Sequence, residues 1–454
     1  MSVVTRFAPS PTGRLHVGNL RTAIHNWLFA KRQGGRFLLR IDDTDHARSS
    51  EDFVDSIRAD LAWLGIVADG EERQSARFDR YEAAIERLRA QGRVYPAYET
   101  AQELDLKRKV QLGRGLPPVY DRAALVLTDE DRARLEAEGR RPHWRFKLDH
   151  GRPIEWTDLV RGRQHFDPAL LSDPVIRRED GSWLYMLPSV VDDIDMGVTH
   201  VVRGEDHVTN TAVQVQMFEA LGAAAPHFAH EALLVGAEGK LSKRLGSLGV
   251  DEIREQGVEA IALTAKLARI GTSLPVEPVA TPEPLIEGFD FGTFGRAPAR
   301  FDLEELAQLN ARVIHLLPFP AVADRLPGGM TEADWEAIRP NLKSVAEAAD
   351  WWAILHGHVE HTVEADDREL LHAAAEEAGA IDWSEAPWPS LVARLKARTG
   401  RAGKALFLPL RRALTGRDSG PEMAALLPLI GPDETIARLR AAASSLSPAG
   451  RGLG

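Results

Sequence analysis

The chain has 454 residues, of which 44% are hydrophobic and 27% charged, with a formal net charge of -11 at pH 7. This composition is typical of a globular protein of about three domains. Cysteine is absent, which excludes disulfides, thiolate nucleophiles and cysteine-bound zinc, and favours a cytoplasmic protein. We expect no signal peptide, because MSVVTRFAPS lacks a charged region followed by a long apolar run. We expect no membrane partner, because no apolar stretch approaches the roughly 18 residues that span a bilayer.

The first 66 residues predict alternating strands and helices. VVTRFAP (3–9) is a short apolar run ended by proline, which predicts a buried strand. NLRTAIHNWLFAKRQGG (19–35) has apolar residues at helical spacing, with Asn19 as the expected N-cap and a glycine pair at its end. RFLLRIDDTD (36–45) predicts a second strand and EDFVDSIRADLAWLGI (51–66) a second helix. This order is typical of a parallel α/β sheet.

The remaining chain divides into an interruption, a return of the sheet and a helical part. Residues 95–185 mix prolines with charge clusters, which indicates an inserted module. Residues 183–222 predict a strand and a helix with which the sheet resumes. After about residue 250 we expect helical modules, because 334–357 and 423–444 have helical periodicity. The proline-rich segment 273–289 would join them.

Two glycine-flanked loops carry the residues suited to phosphate chemistry. The turn after the first strand, RFAPSPTGRLHVGN, presents His16 and Gly18 just before a helix, whose free N–H groups favour an anion. His16 could donate a hydrogen bond to a phosphate oxygen that gains charge. GAEGKLSKRLGS (236–247) supplies lysines that act as mobile point charges. Together the loops predict a clamp on ATP.

Other nucleotide sites are disfavoured by the sequence. No G-x-x-x-x-G-K-[ST] occurs, which disfavours a P-loop NTPase, and no G-x-G-x-x-G follows a strand, which disfavours a dinucleotide-binding enzyme. Each motif taken alone also has a purely structural interpretation. The first could be a tight turn with an exposed His16, and the second a surface loop that carries lysines.

Four blocks in order resemble a known family: PSPTGRLHVGN, RIDDTD, VVDDIDMGVTHVVRGEDH and KLSKR. They are similar to the class I aminoacyl-tRNA synthetases of the glutamyl/glutaminyl subgroup, and residues 406–431 resemble the anticodon-binding end of that family. The resemblance implies an α/β, Rossmann-like N-terminal half with an inserted α+β module, followed by an all-α anticodon-binding domain. The implied segments are 1–95 and 185–245 for the catalytic domain, 96–184 for the insert, 246–320 for a stem-contact module and 321–454 for the anticodon domain.

The resemblance also implies the reaction and the partners. Glutamate and ATP, the latter with Mg²⁺, would give glutamyl-adenylate and pyrophosphate, and glutamate would then pass to the 3′-terminal adenosine of tRNA-Glu. A carboxylate is already a nucleophile, so catalysis would consist of positioning and charge stabilisation. We expect a monomer.

The resemblance assigns residues to each part of this chemistry. The first signature motif, known as HIGH, would comprise Pro9, Ser10, Pro11, Thr12, Gly13, Arg14, Leu15, His16, Val17, Gly18 and Asn19. The second, KMSKS, would comprise Lys240, Leu241, Ser242, Lys243 and Arg244. Catalysis is assigned to His16, Gly18, Lys240 and Lys243, and ATP binding to His16, Gly18, Asn19, Asp206, Leu234 and Lys243. Glutamate binding is assigned to Arg6, Ala8, Ser10, Asp42, Tyr185, Ser189 and Arg203.

Alternative roles remain for some of these residues. Arg203 could instead form a structural salt bridge with Glu205 or Asp206. Asp192, Asp193 and Asp195 could suggest a metal cluster, but helix capping and loop hydrogen bonds are the expected roles, and no metal site is predicted.

This chain departs from the family's pattern at several positions. Asp42 stands where many members carry glutamate, which weakens any argument for glutamate over glutamine from that position. Ser189 stands where other members carry asparagine or cysteine. VYPAYET (94–100) replaces the cysteines with which some members bind zinc, so no zinc is expected. Asn341 stands where some members use an arginine to read the third anticodon base, so tRNA-Gln could also be charged. Arg411 matches an arginine placed at the anticodon.

Several other functions stay open at this point. A truncated relative that glutamylates a modified anticodon base of tRNA-Asp would lack the residues after about 320. Glutaminyl-tRNA synthetase would have C-terminal β-barrels in place of helices. An HxGH-type nucleotidyltransferase would share only the histidine loop, and an RNA-binding module would need neither loop.

Overall fold

A computed structural model describes residues 2–45, 47–236, 249–361 and 363–445. Two compact units are present. The first comprises the chain up to Gln256 with 263–277 and 281–303, and the second comprises 257–262, 278–280 and the chain from Glu304 onward. Among the described residues, no helix has both the length and the apolar character needed to cross a bilayer.

The first unit contains a parallel sheet with helices between its strands. Its elements are β1 Val4–Phe7, α1 Val17–Arg32, β2 Arg36–Ile41, α2 Glu51–Trp63, β3 Gly70–Arg73, α3 Phe78–Ala90, α6 Met186–Asp195, β9 His200–Gly204, α7 Val208–Ala220 and β10 His227–Glu231. Parallel pairing joins β1 to β2, β2 to β3, and β9 to β10. The Thr199 amide donates to the Val4 carbonyl at 2.9 Å, which places β9 beside β1. The strand order is therefore β3–β2–β1–β9–β10.

Helix α1 closes the sheet through a buried apolar face. Four apolar residues on one side of the helix are fully buried: Leu20, Ala23, Ile24 and Leu28. Gly34 follows the helix with φ +60°, a conformation that glycine adopts without strain. The chain then enters β2, as the sequence predicted.

The segment between α3 and α6, here called the inserted segment, forms two small antiparallel sheets. Its strands are β4 Val94–Ala97, β5 His143–Phe146, β6 Ile154–Asp158, β7 Gly162–Phe166 and β8 Val175–Arg177, and its helices are α4 Ala101–Gly113 and α5 Asp129–Ala137. β5 pairs with β4 and β8, whereas β6 and β7 form a hairpin. The Leu159 amide, in the turn of this hairpin, donates to the Phe228 carbonyl of β10 at 2.8 Å. The hairpin therefore contacts the parallel sheet directly.

Two sequence expectations were incomplete in this unit. Residues 183–222 contain a helix, α6, before the strand and helix that were expected, because its one apolar face packs into the core. The part after residue 250 includes α8 Val250–Glu255, α9 Ala260–Arg269 and α10 Glu283–Glu287, but also a strand, β12 Ala299–Phe301. β12 pairs in parallel with β11, Leu234–Gly236.

The second unit is built of helices. They are α11 Leu303–Ile314, α12 Glu332–Ile338, α13 Ala348–His356, α14 Arg368–Ala378, α15 Pro387–Thr399, α16 Lys404–Thr415, α17 Met423–Ile430 and α18 Pro432–Ser445. The helical pattern of 334–357 is interrupted between α12 and α13, where Pro340 lies in a 3₁₀ turn. α17 ends at Gly431, whose φ is +80°. The prediction of an α/β first half followed by a helical second part is confirmed.

Candidate active site

A cavity of about 870 Å³ opens at the carboxyl ends of β1, β2, β9 and β10. This edge of a parallel α/β sheet is where ligands bind in such folds. The cavity is lined by twelve residues that the sequence assigned to ATP or glutamate: Arg6, Ala8, Ser10, His16, Gly18, Asn19, Asp42, Tyr185, Ser189, Arg203, Asp206 and Leu234. The assigned lysines, Lys240 and Lys243, lie outside the described residues with the rest of 240–244.

The loop before α1 is held by a cap that the sequence reading missed. Asn19 is not the N-cap: α1 begins at Val17, and His16 caps it, since its Nδ1 accepts from the amides of Gly18 at 3.1 Å and Asn19 at 3.3 Å. The sequence had predicted free amides here for an anion. The amides of Gly18 and Asn19 are instead occupied by His16. The Asn19 side chain returns a hydrogen bond by accepting from the His16 amide at 3.3 Å.

The cap also fixes the chemistry of the imidazole. Burial lowers the pKa of His16, so the ring is neutral at pH 7. Because Nδ1 accepts two hydrogen bonds, the single proton of the neutral ring must be on Nε2. His16 therefore offers one N–H donor at a residue that lines the cavity.

A buried ion network lies beneath the glutamate-assigned residues. Arg40 is 1% exposed and donates to both carboxylate oxygens of Asp42, at 2.7 and 3.1 Å. It also donates to Asp193 at 2.7 Å. Asp193 accepts from Nε of Arg6 at 3.1 Å as well. Two arginines thus face the carboxylates of Asp42 and Asp193, and a third carboxylate, that of Asp192, lies 3.9 Å from Arg40.

The pKa shifts within this network follow from burial and pairing. Burial raises the pKa of Asp42, an effect that Arg40 only partly opposes. Burial alone would also raise the pKa of Asp193, but Arg6 and Arg40 hold it below its ordinary value. The family resemblance assigns Asp42 to glutamate binding, where its carboxylate would face the ammonium group of the amino acid. In the structure this carboxylate already has a guanidinium partner.

The aspartates of α6 were expected to cap a helix, but they do not. They lie in its C-terminal half, where free carbonyls rather than free amides are found. Asp192 accepts from Gln74 at 2.9 Å, Arg77 at 2.6 Å and Tyr81 at 2.8 Å. Asp195 accepts from Arg77 at 2.7 Å. Their role is to anchor α6 to neighbouring elements.

Arg203 differs from the other two arginines because its partners are neutral. Its Nη2 donates to Thr211 at 2.5 Å and to Gln214 at 2.7 Å. The alternative of a structural salt bridge is not supported, since Glu205 pairs with Arg161 at 2.5 Å and Asp206 lies 3.6 Å from His207. Burial, with a smaller contribution from Arg6, lowers the pKa of Arg203 to about 10. It remains charged at pH 7.

Comparisons with known proteins agree with this geometry. Residues 2–308 match the family described as tRNA synthetases class I (E and Q), catalytic domain, and 336–443 match an anticodon binding domain. A glutamate--tRNA ligase of Rhizorhabdus wittichii is 69% identical over 97% of this chain and 100% of its own length. The chain belongs to the glutamate--tRNA ligase family. The resemblance drawn from the four sequence blocks is thereby confirmed.

Further members of the glutamate--tRNA ligase family match over similar lengths. One from Erythrobacter litoralis is 65% identical over 97% of this chain and 98% of its own length. The crystal structure of a glutamate tRNA ligase from Elizabethkingia meningosepticum in complex with its amino acid superposes with a TM-score of 0.83. That structure is 28% identical and covers 98% of this chain and 100% of its own.

The second unit holds the two residues that the family resemblance assigned to the anticodon. Asn341 is exposed in the 3₁₀ turn after α12. Arg411, on α16, is half-buried and donates to the Pro421 carbonyl at 2.9 Å. Its Nη1 is buried without a hydrogen-bond partner. Both residues lie in the part that matches the anticodon binding domain.

The segment in which some family members bind zinc is packed by tyrosines here. Tyr95 donates to Asp173 at 2.7 Å, and Tyr120 donates to Glu99 at 2.7 Å. The Arg145 guanidinium lies over the Tyr120 ring, 3.8 Å from its centre. Within the described ranges, no three histidine, aspartate or glutamate side chains are grouped so that they could hold a metal ion.

Proposed function

We propose that this chain activates glutamate with Mg–ATP and transfers it to the 3′-terminal adenosine of tRNA-Glu. In the first step, an oxygen of the glutamate α-carboxylate attacks the α-phosphorus of ATP, and the bond to the β-phosphate oxygen breaks. Glutamyl-adenylate and pyrophosphate result. In the second step, a ribose hydroxyl of the tRNA attacks the activated carbonyl carbon, and AMP leaves. Neither step is redox chemistry.

The observation that carries this proposal is the unbalanced charge of Arg203. Among the arginines Arg6, Arg40 and Arg203, the first two are matched by buried carboxylates, whereas Arg203 has only neutral partners in the described structure. A cation of this kind at a cavity wall favours an anionic ligand, and a guanidinium suits a carboxylate by its fork of donors. Arg203 would therefore bind a carboxylate of glutamate.

His16 would act on the nucleotide. Its Nε2–H can donate to a phosphate oxygen that becomes more negative as the pyrophosphate departs, and such donors typically lower the activation barrier by about 3 kcal/mol. The helix α1 behind it adds a favourable dipole for an anion. Because the ring is neutral, His16 does so without adding a charge to the site.

Pyrophosphate exchange with glutamate and ATP tests the proposed reaction. We expect exchange that requires glutamate and tRNA-Glu together, since acceptor-end binding would complete the amino-acid pocket. The variant His16→Ala should lower kcat by about 100-fold or more, and Arg203→Lys should raise the KM for glutamate. Exchange with another amino acid in preference to glutamate would contradict the proposal.

The range of tRNAs charged depends on the second unit. Asn341 has no positive charge, and a neutral exposed side chain would discriminate less between anticodons than an arginine. We therefore propose that tRNA-Gln is charged as well. Separated tRNA-Glu and tRNA-Gln transcripts test this directly, and no charging of tRNA-Gln above background would overturn it. Asn341→Arg should reduce charging of tRNA-Gln relative to tRNA-Glu.

The anticodon match also bears on the alternative function. A relative that glutamylates a modified base of tRNA-Asp would lack this part, whereas 336–443 match an anticodon binding domain.

We propose that the enzyme acts as a cytoplasmic monomer without zinc, and that Arg411 contacts the anticodon stem or loop. Arg411→Ala should raise the KM for tRNA and leave the KM for ATP unchanged.

A further inference from the structure

A chain of buried polar groups lies behind Arg203, outside the cavity lining. It comprises Asp158 at the end of β6, His230 in β10 and Thr211 in α7. Asp158 and His230 have side chains with 0% exposure, and Thr211 is also fully buried. Buried ionisable groups are costly unless they are fully hydrogen-bonded, so this arrangement calls for an explanation.

The contacts run without a gap from the carboxylate to the guanidinium. Oδ2 of Asp158 lies 2.5 Å from Nδ1 of His230. Nε2 of His230 lies 2.8 Å from the Thr211 hydroxyl and 3.5 Å from Nε of Arg203. The Thr211 hydroxyl accepts from Nη2 of Arg203 at 2.5 Å.

The carboxylate fixes the tautomer of the histidine. Burial lowers the pKa of His230, with Asp158 acting in the opposite direction, so the ring is neutral at pH 7. Its one proton must be on Nδ1, facing the carboxylate, which leaves Nε2 as an acceptor. Nε2 can therefore accept a hydrogen bond from the Thr211 hydroxyl at 2.8 Å, which is shorter than the alternative bond from that hydroxyl to the His207 carbonyl at 3.2 Å. The lone pairs of the hydroxyl oxygen are left for Arg203.

We propose that Asp158 and His230 are positioning residues that hold Arg203 in the orientation that binds a carboxylate of glutamate. This inference rests on the proposed function, because it requires that Arg203 contacts the substrate. Neither Asp158 nor His230 lines the cavity, so both act through Arg203. Asp158 belongs to the β6–β7 hairpin of the inserted segment, which therefore contributes to the amino-acid pocket.

Asp158→Asn tests the tautomer directly, because it keeps the shape of the side chain. Oδ1 of Asp158 accepts from the backbone amides of Val160 at 3.0 Å, Arg161 at 2.9 Å and His230 at 3.1 Å. These three donors hold the amide oxygen of the variant in the same place, so its NH₂ group must face His230. The ring proton then moves to Nε2, which turns an N–H towards the N–H of Arg203.

The expected result is a change in glutamate binding rather than in turnover. Asp158→Asn should raise the KM for glutamate by about 10- to 100-fold, the range known for residues that orient metal-ligating side chains, which act in the same indirect way. The kcat and the KM for ATP should change by less than about threefold. An unchanged KM for glutamate would overturn the inference.

A second variant separates positioning from a general structural effect. His230→Gln keeps an acceptor oxygen near Arg203 but has no tautomer to fix, so adding Asp158→Asn to it should change the KM for glutamate by less than about threefold. Equal factors in both backgrounds would mean that Asp158 does not act through His230. Such additivity would overturn the proposal that Asp158 orients Arg203 through His230.

Asp173→Asn is the matched control. Asp173 is also a buried carboxylate of the inserted segment, and it accepts from Tyr95, Arg122 and the Leu148 amide at 2.7 to 2.9 Å. It should lower the melting temperature without changing the KM for glutamate. A KM effect equal to that of Asp158→Asn would attribute both to loosening of the segment. If Arg203→Lys leaves the KM for glutamate unchanged, the assignment of Arg203 to substrate fails first.

Discussion

The carboxylate of Asp193 accepts hydrogen bonds from both Arg6 and Arg40 and so links the two arginines. Asp193→Asn tests how much this link stabilises the fold. Its side chain is 5% exposed and receives hydrogen bonds from Arg6 at 3.1 and 3.5 Å and from Arg40 at 2.7 Å. Asparagine has the same shape but no charge, and its NH₂ group would face a guanidinium. Arg40 would keep Asp42 and, at 3.9 Å, Asp192, whereas Arg6 would lose the carboxylate with which it pairs.

The magnitude follows from the loss of one partner of a buried ion pair. Such a loss destabilises a protein by about 3–5 kcal/mol, because an uncompensated charge stays buried. For a unit of this size, about 2 °C of melting temperature corresponds to 1 kcal/mol, so a fall of about 6–10 °C is expected. The KM for glutamate should rise too, since Arg6 and Arg40 line the cavity.

Asp195→Asn, two residues further along the same helix, is the matched control. The Asp195 side chain is 35% exposed and pairs with Arg77 at 2.7 Å. Partly exposed pairs of this kind contribute at most about 1 kcal/mol, so the melting temperature should fall by about 2 °C or less. Calorimetry on both variants measures the difference. Equal shifts would refute the conclusion that the buried network stabilises the fold.

The pH dependence provides an independent check. The pKa of Asp193 is held below its ordinary value of 3.8, so its stabilising contribution is present above that value and is lost only as the pH falls through the lower, folded-state pKa. The difference between wild type and Asp193→Asn should therefore be constant from about pH 5.5 to 8. A difference that vanished within this range would mean that the carboxylate is not paired as described.

Asp60 should behave in the opposite way, because burial raises its pKa from 3.8 to about 6, with Arg254 and Arg14 acting against the rise. Its ionisation destabilises the fold as the pH rises from about 4 to 6, so Asp60→Asn should gain about 1–2 kcal/mol above pH 6, after allowance for solvent screening, and nothing below pH 4 in denaturant titrations. Asn310→Ala should destabilise the second unit by about 3 kcal/mol in the same assay, since Asn310 accepts from the Glu259 amide at 2.8 Å and donates to two backbone carbonyls at 3.0 and 3.1 Å. Asn310→Asp keeps the acceptor but turns a buried carboxylate oxygen towards both carbonyls, so it should lose at least as much.

Local signals in the sequence predicted the sheet well. The strand beginning at Arg36 and the glycine pair ending α1 were placed correctly, because each depends on neighbours within a few residues. The position of the cavity was predictable for the same reason, since the first strand-to-helix turn carries its own glycines and histidine. His16 as the cap was missed because asparagine is the commoner capping residue.

The ion network could not be predicted from local patterns. Arg40 and Asp193 are 153 residues apart, and nothing in a single sequence pairs them. One signal was present: RFLLRI places an arginine inside a strand whose last five residues are all buried. A charge in such a position must have a partner. That signal predicts that a carboxylate is needed without identifying which one.

The same reasoning explains why three arginines at one site are not equivalent. Arg6 and Arg40 have buried carboxylates as partners, so any charge change there alters stability and binding together. Arg203 is held by neutral groups and keeps its charge for a ligand. The neutral groups that hold Arg203 must still be oriented. Asp158 orients them indirectly, because it fixes the tautomer of His230, which contacts Thr211 and Arg203. This arrangement places a negative charge close enough to fix a tautomer but too far away to neutralise the cation. A carboxylate in direct contact with Arg203 would stabilise the empty site and compete with the substrate.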